Sequence, residues 1–388
     1  MGGCGHVGLP LAIALANRQQ RVVILDVDQN AAAQVRSGRM PFVEMAGEEE
    51  LLVALNSGNL RVADSPEVIS KSEILVLVVG TPIDKHLAPS FRAVETVLEQ
   101  YWTYFRSGQV LILRSTLYPG TSERVHRWLL ERHLEVHVAV CPERIAQGYA
   151  LRELAGLPQI VAAFSPEGLQ AACGLFGTLT DDLIIMEPLE AELAKLFTNA
   201  WRYIKFAAAN QFFMIARDFG ADFDRIYHAV THNYPRAADL PRPGFTAGPC
   251  LFKDTMQLSA FTNNNFFLGH AAMLINEGMP HFVVSRLRRQ YDLSKMTVGI
   301  LGIAFKADVD DDRDSLSYKL KNLLEIEARR LLWSDPFVQL PGVVSTETLL
   351  NESDLVVIAT PHSCYRSLKI VDKPVVDIWN VLGKGTNL

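Results

Sequence analysis

The stretch Gly3-Cys4-Gly5-His6-Val7-Gly8 runs without a break into Leu9-Pro10-Leu11-Ala12-Ile13-Ala14-Leu15-Ala16. Three glycines in G-x-G-x-x-G spacing, opening an apolar helix-like run, let backbone approach a pyrophosphate seated at the helix amino end. After a turn over residues 17–20 comes a strand over 21–25, closed by Asp26. A carboxylate at that distance from Gly8 suits a hydrogen bond to a ribose 2′-hydroxyl, which favours NAD over NADP. Gly3, Gly5, His6, Val7, Gly8 and Asp26 are therefore the first expected cofactor contacts. A strand normally precedes such a turn, in the middle of a parallel sheet, yet only two residues stand before Gly3. The expectation is a truncated or mis-started chain, less stable and weaker for NAD than one with the strand.

Working outward, apolar runs over 74–79, 110–113 and 136–140 end in Gly80-Thr81-Pro82, Ser115-Thr116 and Cys141-Pro142-Glu143-Arg144. In a doubly wound sheet the carboxyl ends of such strands line one crevice, where ligands bind. Thr81, Pro82, Ser115 and Thr116 are expected at the cofactor, although Ser115 and Thr116 would equally serve as helix caps. Glu143 beside Arg144 reads either as a surface pair or as a polar site at a strand end.

From Glu190 to about Phe219 no Pro or Gly interrupts a helical apolar pattern, which predicts a long helix, buried or at a subunit interface. At about 100° per residue, Lys195, Asn199, Arg202 and Asn210 form one polar stripe, expected to face a polar ligand. A proline-rich segment follows, with Arg236, Arg242 and Gly244, whose arginines suit a phosphate or carboxylate. Then comes Gly248-Pro249-Cys250-Leu251-Phe252-Lys253-Asp254. If Pro249 opens a helix, the Cys250 thiol sits in its first turn, where unpaired N–H groups favour a thiolate, and Asp254 lies on the same face. A nucleophile and a carboxylate that could activate water fit an enzyme that forms and hydrolyses an acyl-cysteine; a lone Cys in an apolar stretch also reads as a small buried hydrophobe.

Near residue 293 the β/α pattern restarts, with strands expected over 296–301, 331–333, 355–359 and 375–378. Its first loop, Phe305-Lys306 through Arg313-Asp314-Ser315, lacks a second G-x-G-x-x-G, while Lys306 and Arg313 could hold an anionic group. The fold class is α/β: two Rossmann-like doubly wound domains, 1–186 and 293–388, joined by a long central helix and a helical region within 187–292. With 388 residues, more than one core is expected. A net charge of −6 leaves no basic footprint for nucleic acid. No run reaches membrane-spanning length. Five scattered cysteines without ligand spacing argue for reduced thiols in the cytoplasm and against a metal site.

Gly3–Gly8, Lys195-x-x-x-Asn199, Gly248 through Asp254, and Phe305-Lys306 ahead of Asp311-Asp312-x-x-Ser315 occur in an order that resembles the nucleotide-sugar 6-dehydrogenase family, which acts on UDP-glucose, UDP-N-acetylmannosamine or GDP-mannose. The resemblance implies NAD as cofactor, a UDP-sugar substrate and two successive oxidations at C6. Cys250 would carry a thiohemiacetal and then a thioester. Lys195 and Asn199 would stabilise the oxyanion, Asp254 would move protons and direct water, Glu143 would be a second acid/base group, and Thr116 would hold a water near the cofactor. Glu143, Arg144, Lys195, Asn199, Arg236, Gly244, Lys306 and Arg313 would bind substrate. In the family the arginine reaches in from a neighbouring subunit, which implies a homodimer or higher homo-oligomer with a helical dimerisation region. Cys141-Pro142-Glu143-Arg144 and Asn233-Tyr234-Pro235-Arg236 look more like the 2-acetamido-sugar branch, whereas Phe252-Lys253-Asp254 leans toward the glucose branch. Pro249, Leu316 and Gln147 depart from common family residues. The alternatives are a UDP-glucose or GDP-mannose enzyme, a two-electron 6-phosphogluconate-type dehydrogenase, and a non-enzymatic nucleotide sensor.

Overall fold

The computed structural model describes residues 1–80, 92–246, 248–386 and 388. It divides into two compact units, Met1–Thr198 and Asn199–Leu388.

The first unit holds two parallel strands, β1 (Val22–Ile24) and β2 (Leu60–Val62), and a five-stranded sheet. The latter runs in chain order through β3 (Ile74–Leu77), β4 (Val110–Leu113), β5 (His137–Val140), β6 (Gln159–Ala163) and β7 (Leu183–Ile185). In β4 every residue is buried, because the sheet is covered on both faces. Leu111 and Leu113 pack with Leu98, Val125 and Leu129 on one side. Val110 and Ile112 pack with Leu15, Ala172 and Phe176 on the other. That alternation is the period-two pleat of a strand buried between two helical layers.

Met1 and Gly2 lie between β1 and β3. Met1 donates its terminal nitrogen to Val76 O at 2.9 Å and accepts Val78 N at 2.8 Å. Gly2 donates to Leu25 O at 3.1 Å on the other side. One expectation needs correcting: β6 runs antiparallel to β5, pairing Ala139 with Ala163 and Val140 with Ala162.

The Pro188–Asp218 helix matches the predicted long helix, but its surface is mixed rather than buried all round. Tyr203 and Phe213 are fully buried while Trp201 and Phe212 are more than half exposed. In the second unit four parallel strands lie in the order β11-β10-β8-β9: β8 (Thr297–Leu301), β9 (Arg330–Ser334), β10 (Leu355–Ile358) and β11 (Val375–Asp377). Again the pleat alternates. Leu355 and Val357 join Leu320 and Leu324 of the Leu316–Glu327 helix, and Val356 and Ile358 join Leu349 and Tyr365. Ser315 caps that helix by accepting Ser317 N.

A second correction concerns the cysteine turn. The helix begins at Leu251 and ends at Phe261, so Cys250 is its N-cap residue, one position before the first turn. Its side chain makes no capping hydrogen bond.

Candidate active site

Each unit carries its own set of candidate groups. In the first, the three motif glycines serve different purposes. A Cβ at Gly3 would stand 2.7 Å from Ile24 Cγ2, and one at Gly8 would stand 2.7 Å from Gly2 O, so both are packing requirements. At Gly5 nothing lies within 4 Å, and the residue is exposed. That open backbone at the amino end of the Gly8–Ala16 helix fits a pyrophosphate. Asp26 is oriented by Cys4 N on Oδ2 at 2.7 Å and by Asp28 N on Oδ1 at 2.9 Å. Burial, with Asp26 adding, pushes the Cys4 thiol up to about 12, so this cysteine is chemically quiet. His6 lies 3.0 Å from Gln147 Nε2 through its own Nε2 and packs on Phe42 with ring centroids 4.1 Å apart. Val7 is half-buried at the N-cap of the same helix.

At the ends of β3 and β4, Ser115 caps no helix. Its hydroxyl donates to Val79 O at 2.7 Å and accepts Val79 N at 2.8 Å, clasping the two strand ends together. Thr116 follows, half-buried. Thr81 and Pro82 lie outside the described residues.

Glu143 is no surface residue: it is 7% exposed and salt-bridged to Arg114, which is completely buried. Its Oε1 also accepts Arg144 N at 2.7 Å and Ile145 N at 3.0 Å. Arg114 in turn donates to Cys141 O at 2.9 Å and Gln159 Oε1 at 3.0 Å, and stacks over Phe176. The Arg144 guanidinium donates to Pro158 O. Lys195 is 9% exposed. One turn earlier, buried Glu192 accepts Gly120 N at 2.6 Å and Ser122 N at 2.8 Å, closing the amino end of the Thr121–Leu130 helix. Burial pushes the Glu192 carboxyl above its ordinary range, and those N–H donors pull it partly back.

In the second unit, Asp254 is wholly buried. Its Oδ2 accepts Asn199 Nδ2 at 2.6 Å, and Lys253 Nζ stands 3.2 Å from Oδ1 without hydrogen-bond alignment. Cys250 is exposed. Gly248, at φ +100°, occupies left-handed backbone, and a Cβ there would lie 2.4 Å from the Phe305 ring. Gly248 N donates to Asp314 O at 3.3 Å, so the loop after β8 is seated directly on the cysteine turn. Arg313 leaves that loop exposed and holds Asp311 through 2.6 and 2.8 Å bonds. The Asp311 hydrogen bond raises its basicity further, with the charges of Cys250 and Asp314 contributing. Lys306 is half-buried in the same loop.

The remaining predicted groups scatter. Asn210 faces no ligand: it is fully buried, donates to Gly244 O at 3.1 Å and to Asn276 Oδ1 at 2.9 Å, and accepts Gly244 N at 2.8 Å. Gly244 must be glycine, since a Cβ would meet Trp379 at 2.3 Å. Arg202 is exposed, so the expected four-residue stripe is broken up. Arg236 is exposed and donates to Tyr234 Oη at 2.8 Å, and Arg242 pairs with Asp224. Sequence reasoning missed Arg114, Glu192 and His362; the one local signal was a charged residue interrupting an apolar run, at β4's end and on the long helix.

Among the described residues no cluster of three or more His, Cys, Asp or Glu could hold a metal, and no helix is long and apolar enough to cross a membrane. Three domain profiles match: the UDP-glucose/GDP-mannose dehydrogenase family NAD binding domain over residues 1–175, its central domain over 189–277 and its UDP binding domain over 299–384. The chain is 29% identical to the UDP-N-acetyl-D-mannosamine dehydrogenase of Pyrococcus horikoshii, over 98% of this chain and 91% of that protein. It is 27% identical to the NDP-N-acetyl-D-galactosaminuronic acid dehydrogenase of Ralstonia solanacearum, over 97% and 94%. Among solved structures, a UDP-glucose dehydrogenase from Pyrobaculum islandicum superposes with a TM-score of 0.91 at 28% identity, covering 98% of this chain and 93% of that one. UDP-D-ManNAc dehydrogenase from Pyrococcus horikoshii also gives 0.91, at 27% identity and 99% and 96% coverage.

Proposed function

Because the chain belongs to the UDP-glucose/GDP-mannose dehydrogenase family of NAD-dependent nucleotide-sugar dehydrogenases, we propose that it oxidises the C6 alcohol of UDP-N-acetylmannosamine to the carboxylate through a covalent Cys250 adduct. The observation that carries this reading is the Gly248–Asp254 turn: an exposed thiol heads a helix whose first turn buries a carboxylate bonded to an amide of the long helix. The choice of sugar rests on the Cys141–Arg144 and Asn233–Arg236 segments and on the names of the relatives above.

NAD+, when bound, would supply the hydride acceptor, one molecule for each oxidation, so a second NAD+ must replace the first NADH. Residues 3–8 and Asp26 hold the cofactor, with Ser115 and Thr116 on the strand-end side, and Thr81 and Pro82 are assigned to the same role. The alcohol proton leaves to a base as the first hydride departs, giving an aldehyde. The Cys250 thiolate adds to its carbon, and the alkoxide formed is stabilised by Lys195 and Asn199, one turn apart on one helix. Loss of the second hydride leaves a thioester. Water directed by Asp254 attacks it, expelling the thiolate and releasing the uronate. Glu143, with both oxygens engaged, fixes the backbone of residues 144 and 145, while Arg144, Arg236, Gly244, Lys306 and Arg313 are the proposed substrate contacts. We read the chain as 1–186 for cofactor, 187–292 for the thiol and 293–388 for the UDP moiety, working in the cytoplasm. A panel of UDP- and GDP-sugars scored for NADH release tests this. Two NADH per UDP-N-acetylmannosamine are expected; one NADH per sugar, or turnover confined to another sugar, overturns it.

A homodimer completes the proposal. An apolar cleft of the second unit is lined by Phe212, Ile215, Phe223, Ile226, Val230 and Leu240. Phe212, Ile215, Ile226 and Val230 are 39–52% exposed, and a subunit interface would take these side chains out of water. Sedimentation velocity should give a dimer for the wild-type chain and a monomer for Phe212→Glu/Ile226→Glu. A dimer that survives both charges places the interface elsewhere.

A further inference from the structure

We propose that His362 is a positioning residue for the cysteine turn, acting through the loop that follows β8. The imidazole is completely buried and bridges two points of that loop. Its Nδ1 lies 2.9 Å from Asp308 N, an obligate donor, so Nδ1 must be the acceptor and the ring proton sits on Nε2. Nε2 then donates to Asp335 Oδ2 at 3.0 Å. The same Oδ2 accepts Ile303 N at 2.6 Å and Ala304 N at 3.0 Å, while Oδ1 takes Phe337 N at 2.8 Å and Val338 N at 3.0 Å. One ring therefore fixes the start of the loop through Asp335 and its middle through Asp308.

Neighbouring bonds complete the clamp. Thr360 Oγ1 donates to Ala304 O at 2.6 Å, and Ser363 N donates to Asp308 Oδ1 at 2.8 Å. Asp308 itself is held at φ +58°, a conformation that costs energy for a non-glycine residue and persists only where its surroundings enforce it. What the clamp positions is the next stretch of chain. Phe305 N bonds Asp311 O at 3.0 Å, the Phe305 ring fills the space beside Gly248, and Asp314 O receives Gly248 N. The loop that presents Arg313 and its charge to Cys250 is thus aimed by a histidine that lies 54 residues beyond Asp308. Loss of the ring acceptor at Nδ1 leaves the part-buried Asp308 N–H without this partner, and the loop must shift to recover one.

The test uses His362→Ala, with His362→Asn, whose amide oxygen can replace Nδ1, and His362→Gln, whose amide nitrogen can replace Nε2. The first readout is the alkylation rate of Cys250 by iodoacetamide, followed by peptide mass spectrometry below the melting temperature of every variant. It does not depend on the proposed substrate being correct. A buried hydrogen bond of ordinary worth corresponds to about a tenfold change, so His362→Ala and His362→Gln should alter the Cys250 rate by about three- to tenfold. His362→Asn should stay within about twofold of wild type. NAD binding, followed by protein fluorescence quenching, should be unchanged in all three. In turnover assays the same ranking should show in KM for the sugar nucleotide and less in kcat. If the alanine and glutamine variants melt earlier but leave the Cys250 rate and KM unaltered, the histidine is structural only and the proposal falls. Should the alanine variant not fold, the asparagine and glutamine pair still decides, because equal Cys250 rates in the two would overturn it.

Discussion

A Cys250→Ser enzyme is expected to lose the four-electron reaction by on the order of 10⁴-fold, the scale on which removal of a covalent nucleophile is felt. Serine preserves size, but its hydroxyl is far less ionised than a thiol, and an oxygen ester gives up its acyl group to water more slowly than a thioester. The fold should not suffer, since Cys250 is exposed and its side chain caps no helix, and surface replacements of that kind stay within about 0.5 kcal/mol. Absorbance of NADH and mass analysis of the product give the check: the variant should release at most one NADH per sugar and leave the aldehyde or its hydrate. A serine variant within about tenfold of wild type, still giving two NADH, would mean that the sulfur never carries the substrate.

The largest stability effect is expected from Arg114→Met. The arginine is wholly enclosed, and Glu143 loses its only cationic partner among the described residues when it goes. Breaking a buried ion pair from one side costs about 3–5 kcal/mol, because an uncompensated charge remains. The two N–H bonds that Glu143 keeps from residues 144 and 145 set the figure toward the lower end. For a unit of this size that corresponds to about 6–20 °C in melting temperature. Arg114→Met/Glu143→Gln should recover part of it, since no charge is then left stranded. Calorimetry that finds the single variant within about 2 °C of wild type would show that water or a rearranged neighbour already serves Glu143.

Features set by neighbours in sequence were the legible ones. The glycine spacing, the long helix and the restart of β/α alternation near 293 each depend on a few consecutive residues and stand where they were expected, and the helix after Cys250 begins two residues later than Pro249 suggested. The missed features depend on register and direction. Arg114 and Glu143 meet only because β4 and β5 pair Leu113 with Val140. Asn210 shared a helical face with Lys195 and Asn199, and angular position alone could not tell a ligand-facing amide from one that ties down Gly244. The repeat of about 3.6 residues per helical turn says which residues share a side, not what covers it. Likewise β2 and β7 are three residues each, too short for a period-two pattern to register.

The reversed direction of β6 has a consequence for how this architecture can vary. A parallel neighbour would require the chain to cross the whole sheet before re-entering it. Here residues 141–158 leave β5 and enter β6 at the same rim, so the excursion carrying Glu143, Arg144 and Gln147 never has to travel to the far side. Its length is uncoupled from the span of the strands. New residues could be spliced in there to suit a bulkier guest while the hydrogen-bonded ladder beneath keeps its register.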